Sequence, residues 1–362
     1  MTTYRPYRPG ADDATLLRLR ANVWGVQHPH TNQAFLHWLY VACPAGSGGG
    51  ILALDGDEAM GFAGTLARVG YVRGHKVRVA QCVDYMMHSD ARGGATAYRI
   101  IVSWTKQVRD MGFDFGIGFP NINSHDLVTR RKVGWVDAFW PEHLIRPLSR
   151  AAAPQGMVRH VPMGLVRGAT GLATLACRAR AASASRVHPP GRAVRFEHFD
   201  QRFDALWQAA AAGNGHCGLV RDAAYLNWRY RQHPAYRYQI IGWEIDDRLV
   251  GWMVTSTRQL FDVPSLLLVD LLVDPKAPAG VAEVLIEQLC QPEQARCTPM
   301  LHALAVPGSR LRASLARLGF LSIPRRFNPK PFVMVMHDLA HYTPFYWDWH
   351  QWEFRWGDTD VV

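Results

Sequence analysis

Cysteine is scarce in this chain: six residues among 362, at 43, 82, 177, 217, 290 and 297, with no Cys-x-x-Cys pair. A disulfide scaffold and a zinc ribbon are thereby excluded, and reduced thiols in a cytoplasmic protein are expected. Charged residues are also few, 19% against 48% hydrophobic, which excludes a disordered or collagen-like chain. There is no run of 18 or more uncharged apolar residues, so no transmembrane segment is expected. The opening Met1-Thr2-Thr3-Tyr4-Arg5-Pro6 is polar and does not read as a secretory signal. Acid is missing altogether from 143 to 192, an interval that holds Arg146, Arg150, Arg159, Arg167, Arg178, Arg180, Arg186 and Arg192. Those eight charges account for most of the net +10 and leave +2 for the rest, so a uniformly basic nucleic-acid-binding surface is not expected. The reading is instead a local basic connector, suited to an anionic ligand, a lipid surface or an acidic patch of the same protein.

What the chain does have is an internal repeat. Leu36-His37-Trp38-Leu39-Tyr40 recurs as Leu226-Asn227-Trp228-Arg229-Tyr230, and Met60-Gly61-Phe62 as Val250-Gly251-Trp252, both offset by 190. Val83-Asp84-Tyr85-Met86-Met87 recurs as Val269-Asp270-Leu271-Leu272-Val273 at 186, and Lys132-Val133-Gly134-Trp135 as Arg317-Leu318-Gly319-Phe320 at 185. Collinear matches with a slowly drifting offset mean two copies of one fold.

Each copy reads as strand, helix, further strands, then helix. Asp12-Asp13 opens an apolar helix through Leu16, Leu17 and Leu19, and strands over 51–54 and 60–72 flank an Asp55-Gly56 turn. Thr96 to Arg109 carries Ala97, Ile100, Ile101, Trp104 and Val108 at helical spacing. Boundaries are expected at 1–148 for the first copy, 149–192 for an Arg-rich connector containing a buried helix, 193–336 for the second copy and 337–362 for a Trp-rich tail. Within that tail, the alternation of Trp347, Trp349, Trp352, Phe354 and Trp356 suits the sealing of a core more than the stacking of sugar rings.

The stretch Val83-Asp84-Tyr85-Met86-Met87-His88-Ser89-Asp90-Ala91-Arg92-Gly93-Gly94-Ala95-Thr96-Ala97 carries the chemistry. An apolar strand runs into a turn of Arg and small residues, and a long helix begins there. Backbone amides, the helix N-terminus and Arg92 form a cradle for a pyrophosphate. A Walker A motif is excluded, because its Lys-Ser/Thr ending is missing.

Arg92-Gly93-Gly94-Ala95-Thr96-Ala97, Asn123 and Gly134-Trp135 together resemble the motifs of the GNAT N-acetyltransferase superfamily, in tandem form. The resemblance covers roughly 4–148 and, more weakly, 193–336. It implies an α+β chain of two GNAT-like domains, each a mixed, mostly antiparallel twisted sheet flanked by helices. It also implies acetyl-CoA or another acyl-CoA as cofactor, no metal, and a small-molecule amine, amino sugar or amino acid as acceptor. Tyr85, Met86 and Met87 would bond the pantetheine arm, and Arg92, Gly93, Gly94, Ala95, Thr96 and Ala97 the pyrophosphate, with Asn123 also on the pantetheine.

Asp84 is the candidate base, or else ties its strand to a neighbouring loop. Ser124 is a candidate acid or a helix cap, and His125 an acid, a base or a solvent-facing helix residue. Two departures stand out: Ala95 replaces a family Gly, and Arg130 occupies the place of the usual thiolate-protonating Tyr; either Arg130 stabilises the thiolate as a cation, or the acid comes from Ser124, His125 or Tyr85, or no acid is needed. The second copy lacks the Arg-Gly-Gly turn and is read as catalytically silent. The rival readings are a Fem-like aminoacyl transferase and a non-catalytic coenzyme A-binding sensor or scaffold. His28, His30 and His37, and His337 with His341, are read as coincidental clusters rather than a metal site.

Overall fold

The computed structural model describes residues 2–72, 74–92, 94–153, 162–184, 188–212, 217–260, 262–290, 296–328, 331–339 and 352–359. Two compact units emerge: Met1–Trp140 with Cys217–Tyr236 and Phe332–Trp349, and Pro141–His216 with Arg237–Pro331 and His350–Val362.

In the first unit the strands are β1 (Thr3–Pro6), β2 (Gly49–Asp55), β3 (Glu58–Val72), β4 (His75–Met87), β5 (Phe115–Gly118) and β6 (Val136–Phe139). The helices among them are α1 (Asp13–Trp24), α2 (Gln33–Tyr40), α3 (Ala95–Asp110) and α4 (Ile122–Val128). The second unit begins with β7 (Glu142–Pro147), α5 (Met163–Ala184), β8 (Arg192–Phe196) and α6 (Gln201–Ala211). The chain then returns to the first unit for β9 (Cys217–Leu219), α7 (Ala223–Leu226) and a π-helical turn, Asn227–Arg231. The second unit resumes with β10 (Gln239–Ile245), β11 (Arg248–Leu260), β12 (Val263–Val273), α8 (Val281–Glu287), β13 (Met300–Ala305), α9 (Arg310–Arg317) and β14 (Leu321–Ser322). Finally β15 (Met334–Asp338) lies in the first unit.

The first sheet runs β1-β2-β3-β4-β5-β15-β6, and the second β14-β7-β13-β12-β11-β10-β8. Every neighbouring pair along these two paths is antiparallel except β4–β5 and β12–β13. The α+β class and the two mixed, helix-flanked sheets are as expected from the repeat.

The linear division at 148, 192 and 336 needs correction. Strand β7, the last of the first copy, pairs with β13 in the second unit, while β15, the last of the second copy, pairs with β5 in the first. Each copy thus donates its closing strand to the other copy's sheet. Burial fixes the exchange: Leu144 and Leu148 join the core of Leu266, Leu268, Leu285 and Leu301. Val333 and Val335 join that of Ile100, Ile101, Trp104 and Trp135. Both edges need an antiparallel partner for their ladder groups.

The helix expected over 96–109 is α3, and Ile100, Ile101, Trp104, Thr105 and Val108 form its buried face. The Trp104 indole N–H donates to the Gly64 carbonyl at 3.0 Å, fixing α3 on β3. The matched tryptophans of the repeat also meet. Trp38 and Trp228 stack at 4.7 Å between centroids, and each indole N–H donates to the other's carbonyl at 2.8 and 2.9 Å.

The connector helix is not buried as expected. One narrow face of α5 packs, through Thr174, Cys177 and Ala181, while Leu165, Leu172 and Leu175 are exposed. Its docking depends on Gly319, whose φ is +80° and where a Cβ would lie 2.5 Å from the Cys177 carbonyl oxygen. Gly319→Ala is therefore expected to cost about 2–4 kcal/mol in chemical denaturation, from left-handed strain plus overpacking. Gly56→Ala, also at positive φ but with open space around it, should lose only about 1 kcal/mol. Equal losses at both positions would remove the packing argument.

Trp352, Phe354 and Trp356 are buried, in line with a core-sealing role, whereas Trp347 and Trp349 lie outside the described residues.

Candidate functional site

The parallel ladder between β4 and β5 runs only from Val79↔Phe115 to Cys82↔Gly118. Strand β5 then ends, while β4 continues to Met87, still paired with β3 on its other edge. The backbone from Val83 to Met87 therefore faces an open splay. Along the same stretch the β3–β4 register shifts between Phe62 and Gly64, and Asp84 takes a left-handed φ of 52°. Such a bulge re-aims side chains. It sends Asp84 toward α1 and α2, and Tyr85 toward α3.

Asp84 forms an ion pair with Arg20, a fully buried side chain of α1, and accepts a hydrogen bond from the Tyr40 hydroxyl at 2.5 Å. Arg20 also donates to the His30 carbonyl at 2.7 Å and lies 5.1 Å from the Trp24 ring and 5.0 Å from the Phe35 ring. Tyr7, Tyr40 and Phe62 pack edge to face at 5.3–6.0 Å between centroids beside this pair. Both contacts converge on one oxygen of Asp84, which ties β4 to α1 and α2. Arg20 and Tyr40 were not singled out from the sequence. The available signal was a charged residue four after Leu16, on the apolar face of a helix.

On the opposite face the Tyr85 hydroxyl donates to the Ala97 carbonyl at 2.9 Å, and burial pushes its pKa well up. Met86 is buried and Met87 half-buried. After β4 the chain is held by Asn22, which bonds His88 at 2.8 Å and accepts from the Ser89 amide at 3.0 Å.

Helix α3 then starts at Gly94 with no side-chain cap, so the first-turn amides of Ala95, Thr96 and Ala97 lack an intrahelical acceptor. A Cβ at Gly94 would meet only Ala91 O at 3.7 Å and Thr96 N at 4.0 Å. The space around Gly94 therefore does not by itself demand glycine. Arg92 is exposed and makes no ion pair among the described residues; Gly93 lies outside them.

The residues after β5 are placed differently. Asn121, not Ser124, caps α4, accepting from the amides of Asn123 and Ser124 at 2.9 and 3.3 Å. The Asn123 side chain is exposed, and Ser124 reaches back to the Asn121 carbonyl at 3.3 Å. His125 is not turned to solvent: its Nε2 lies 2.7 Å from Asp137 Oδ1 on β6, and its ring abuts Trp140 at 5.7 Å. Asp137 was missed; an acid two residues after Gly134-Trp135 was the only cue. Arg130 is exposed. No hydrogen bond among the described residues joins Asp84 to Asn123, Ser124 or His125.

In the second copy the equivalent turn holds an acid of its own. Asp274 accepts from the Lys276 amide at 2.8 Å and pairs with Arg248, and its side chain is buried. A carboxylate therefore sits where an incoming phosphate would need amides. The following α8 has seven residues and begins after a left-handed Gly280. Asp270 is buried, bonded to the Leu271 amide at 2.9 Å. Among the described residues no group of three or more His, Cys, Asp or Glu could hold a metal, and His341 lies outside them. No described helix is long and apolar enough to cross a membrane.

No protein-family model and no curated protein matches the sequence. Solved structures do match in shape. A GCN5-related N-acetyltransferase from Anabaena variabilis aligns with a TM-score of 0.63 at 10% identity, covering 94% of this chain and 73% of that one. A tandem GNAT protein from the clavulanic acid biosynthesis pathway aligns at 0.55 and 12% identity, covering 94% and 99%. Saccharomyces cerevisiae N-myristoyltransferase with bound myristoyl-CoA aligns at 0.54 and 12% identity, covering 93% and 82%. With its two copies, its splayed central strands and its uncapped helix after the fourth strand, the chain has the tandem GNAT fold.

Proposed function

We propose that the protein is an acyl-CoA-dependent N-acyltransferase, using acetyl-CoA at its first copy and acting on the amine of a small molecule, an amino sugar or an amino acid. One observation carries this reading: the open β4 edge leads into an uncapped helix start at Gly94. Both features suit coenzyme A, whose pantetheine arm is an extended amide chain and whose pyrophosphate is an anion. The cofactor would supply an acyl group activated as a thioester.

Backbone groups of Tyr85, Met86 and Met87 would hold the pantetheine, with Asn123 on its far side. The amides of Gly93, Gly94, Ala95, Thr96 and Ala97, together with the Arg92 guanidinium, would hold the pyrophosphate. Arg130, exposed and cationic, would stand near developing thiolate charge. Asp84, held by Arg20 and Tyr40, would attract the acceptor's ammonium and take its proton through water. Ser124 and His125 remain proton donors to test, and Asp137 would orient the His125 ring.

A calorimetric titration of acetyl-CoA, dephospho-CoA and a long-chain acyl-CoA tests the donor site. Wild type should bind acetyl-CoA at micromolar levels, and Arg92→Glu should lose at least tenfold, about 1.4 kcal/mol. An amine screen with thiol detection follows. Absence of binding to every thioester would sink the reading.

A coenzyme-binding sensor is the second reading. It is favoured by Tyr85, whose hydroxyl is committed to Ala97, and by Arg130 in the place of a tyrosine acid. It expects donor binding without turnover on any amine.

A further inference from the structure

Helix α5 presents apolar side chains outward. Leu165, Leu172 and Leu175 are 67%, 71% and 62% exposed. Leu165 and Leu172, seven apart, share one helical face, and Leu175 lies one turn further along its edge. Between them Gly168, Ala169, Ala176 and Ala179 are exposed and small, so the leucines stand on a low, continuous apolar ridge. The opposite face is the one that packs, through Thr174, Cys177 and Ala181. A helix lying against its own domain in water would carry charged residues along that outer stripe.

The charge around the ridge has one sign. Arg180 lies about 60° round the helix from Leu165 and flanks the ridge, while Arg167 and Arg178 lie toward the packed face, all exposed; Arg150, earlier in the chain, is exposed as well. Arg178 donates to the Leu148 carbonyl at 2.8 Å, and Arg150, Arg167, Arg178 and Arg180 form no ion pair among the described residues. By contrast Arg146 is consumed internally by Glu287, and Arg192 by Glu244 and Asp247. The sequence offers no acid anywhere from 143 to 192.

We propose that α5 seats the protein on an anionic lipid bilayer surface. The leucines enter the boundary between headgroups and acyl chains, and the exposed arginines contact lipid phosphates. Leucine on one side with arginine beside it, in a helix not apolar enough to cross, is the pattern of a helix lying in the membrane interface. A second copy of this chain is a poor occupant, since a symmetric α5–α5 contact would bring two acid-free arginine clusters together. The proposal is independent of the activity proposed above.

The test is flotation of the full chain with vesicles of phosphatidylcholine alone or mixed with phosphatidylglycerol. Wild type should partition at least tenfold more strongly onto the anionic vesicles, and 0.5 M salt should release it. The triple variant L165Q/L172Q/L175Q and the double variant R167Q/R180Q should each lose at least tenfold in partitioning, with unchanged circular dichroism and melting temperature. Four outcomes would overturn the proposal: no vesicle binding by a folded wild type, equal binding to neutral vesicles, leucine-variant binding equal to wild type, or a wild-type dimer in ultracentrifugation that the triple variant abolishes.

Discussion

Arg20→Met is expected to destabilise the first unit by about 3–5 kcal/mol, because it leaves the Asp84 carboxylate buried without its cation. In a unit of this size that lowers the melting temperature by roughly 10 °C. Arg20 is fully buried and Asp84 nearly so, which separates this pair from surface ion pairs worth little. Asp84→Asn should cost a similar amount, since the asparagine can still accept from Tyr40 but cannot neutralise Arg20. The combination Arg20→Met with Asp84→Asn removes both charges, and it should recover at least half of either single loss. Differential scanning calorimetry of the four proteins gives the coupling directly. Strictly additive losses would mean that the two side chains do not act as a pair.

The same variants bear on catalysis. A purely structural Asp84 would leave amine acylation per folded molecule unchanged in Asp84→Asn. A proton-accepting Asp84 would lose about 10²–10⁴ in kcat with donor affinity intact. Donor titration and turnover, read separately on the folded fraction, distinguish the two.

Acid should unfold the second unit through a pair of buried histidines. His143 on β7 and His302 on β13 have ring centroids 5.3 Å apart, and Trp356 covers both, at 5.5 and 5.3 Å. Burial pushes the His143 pKa down to about 4, and holds that of His302 well below its ordinary value. Between about pH 6.5 and pH 4 the unfolded chain therefore binds protons that the folded chain refuses. Stability is fully present above the unfolded pKa, falls as pH drops through that window, and for His143 levels off below about 4. The His143 share is about 3 kcal/mol. Melting temperature measured from pH 7.5 to 4 should fall more steeply for wild type than for the double variant His143→Phe/His302→Phe. Parallel curves would show that the acid sensitivity lies elsewhere.

Much of the fold is legible from local rules. The repeat is visible because matched residues serve matched packing roles, as when Trp38 and Trp228 prove to face each other. Helix α3 follows from Ile100, Ile101, Trp104 and Val108 recurring at helical spacing, and the Asp55-Gly56 turn marks its hairpin. The Gly94 start of α3 is legible too, since small residues after an apolar strand mark a close backbone approach.

The rest depends on contacts that spacing does not encode. Which sheet receives β7 and which receives β15 is not encoded in the spacing of either strand, and core packing decides for exchange. Asp84 alone looks like an available carboxylate; its partners come from α1 and α2, 64 and 44 residues earlier in the chain. His125 meets Asp137 only because β6 passes beside α4. The eight arginines of the acid-free segment 143–192 are plain in the sequence, yet which are spent on Glu287, Glu244 and Asp247 is decided by the fold. The apolar ridge of α5 is likewise a tertiary result: periodicity can mark two faces of that helix, but the close approach of Cys177 to Gly319 determines which one turns outward.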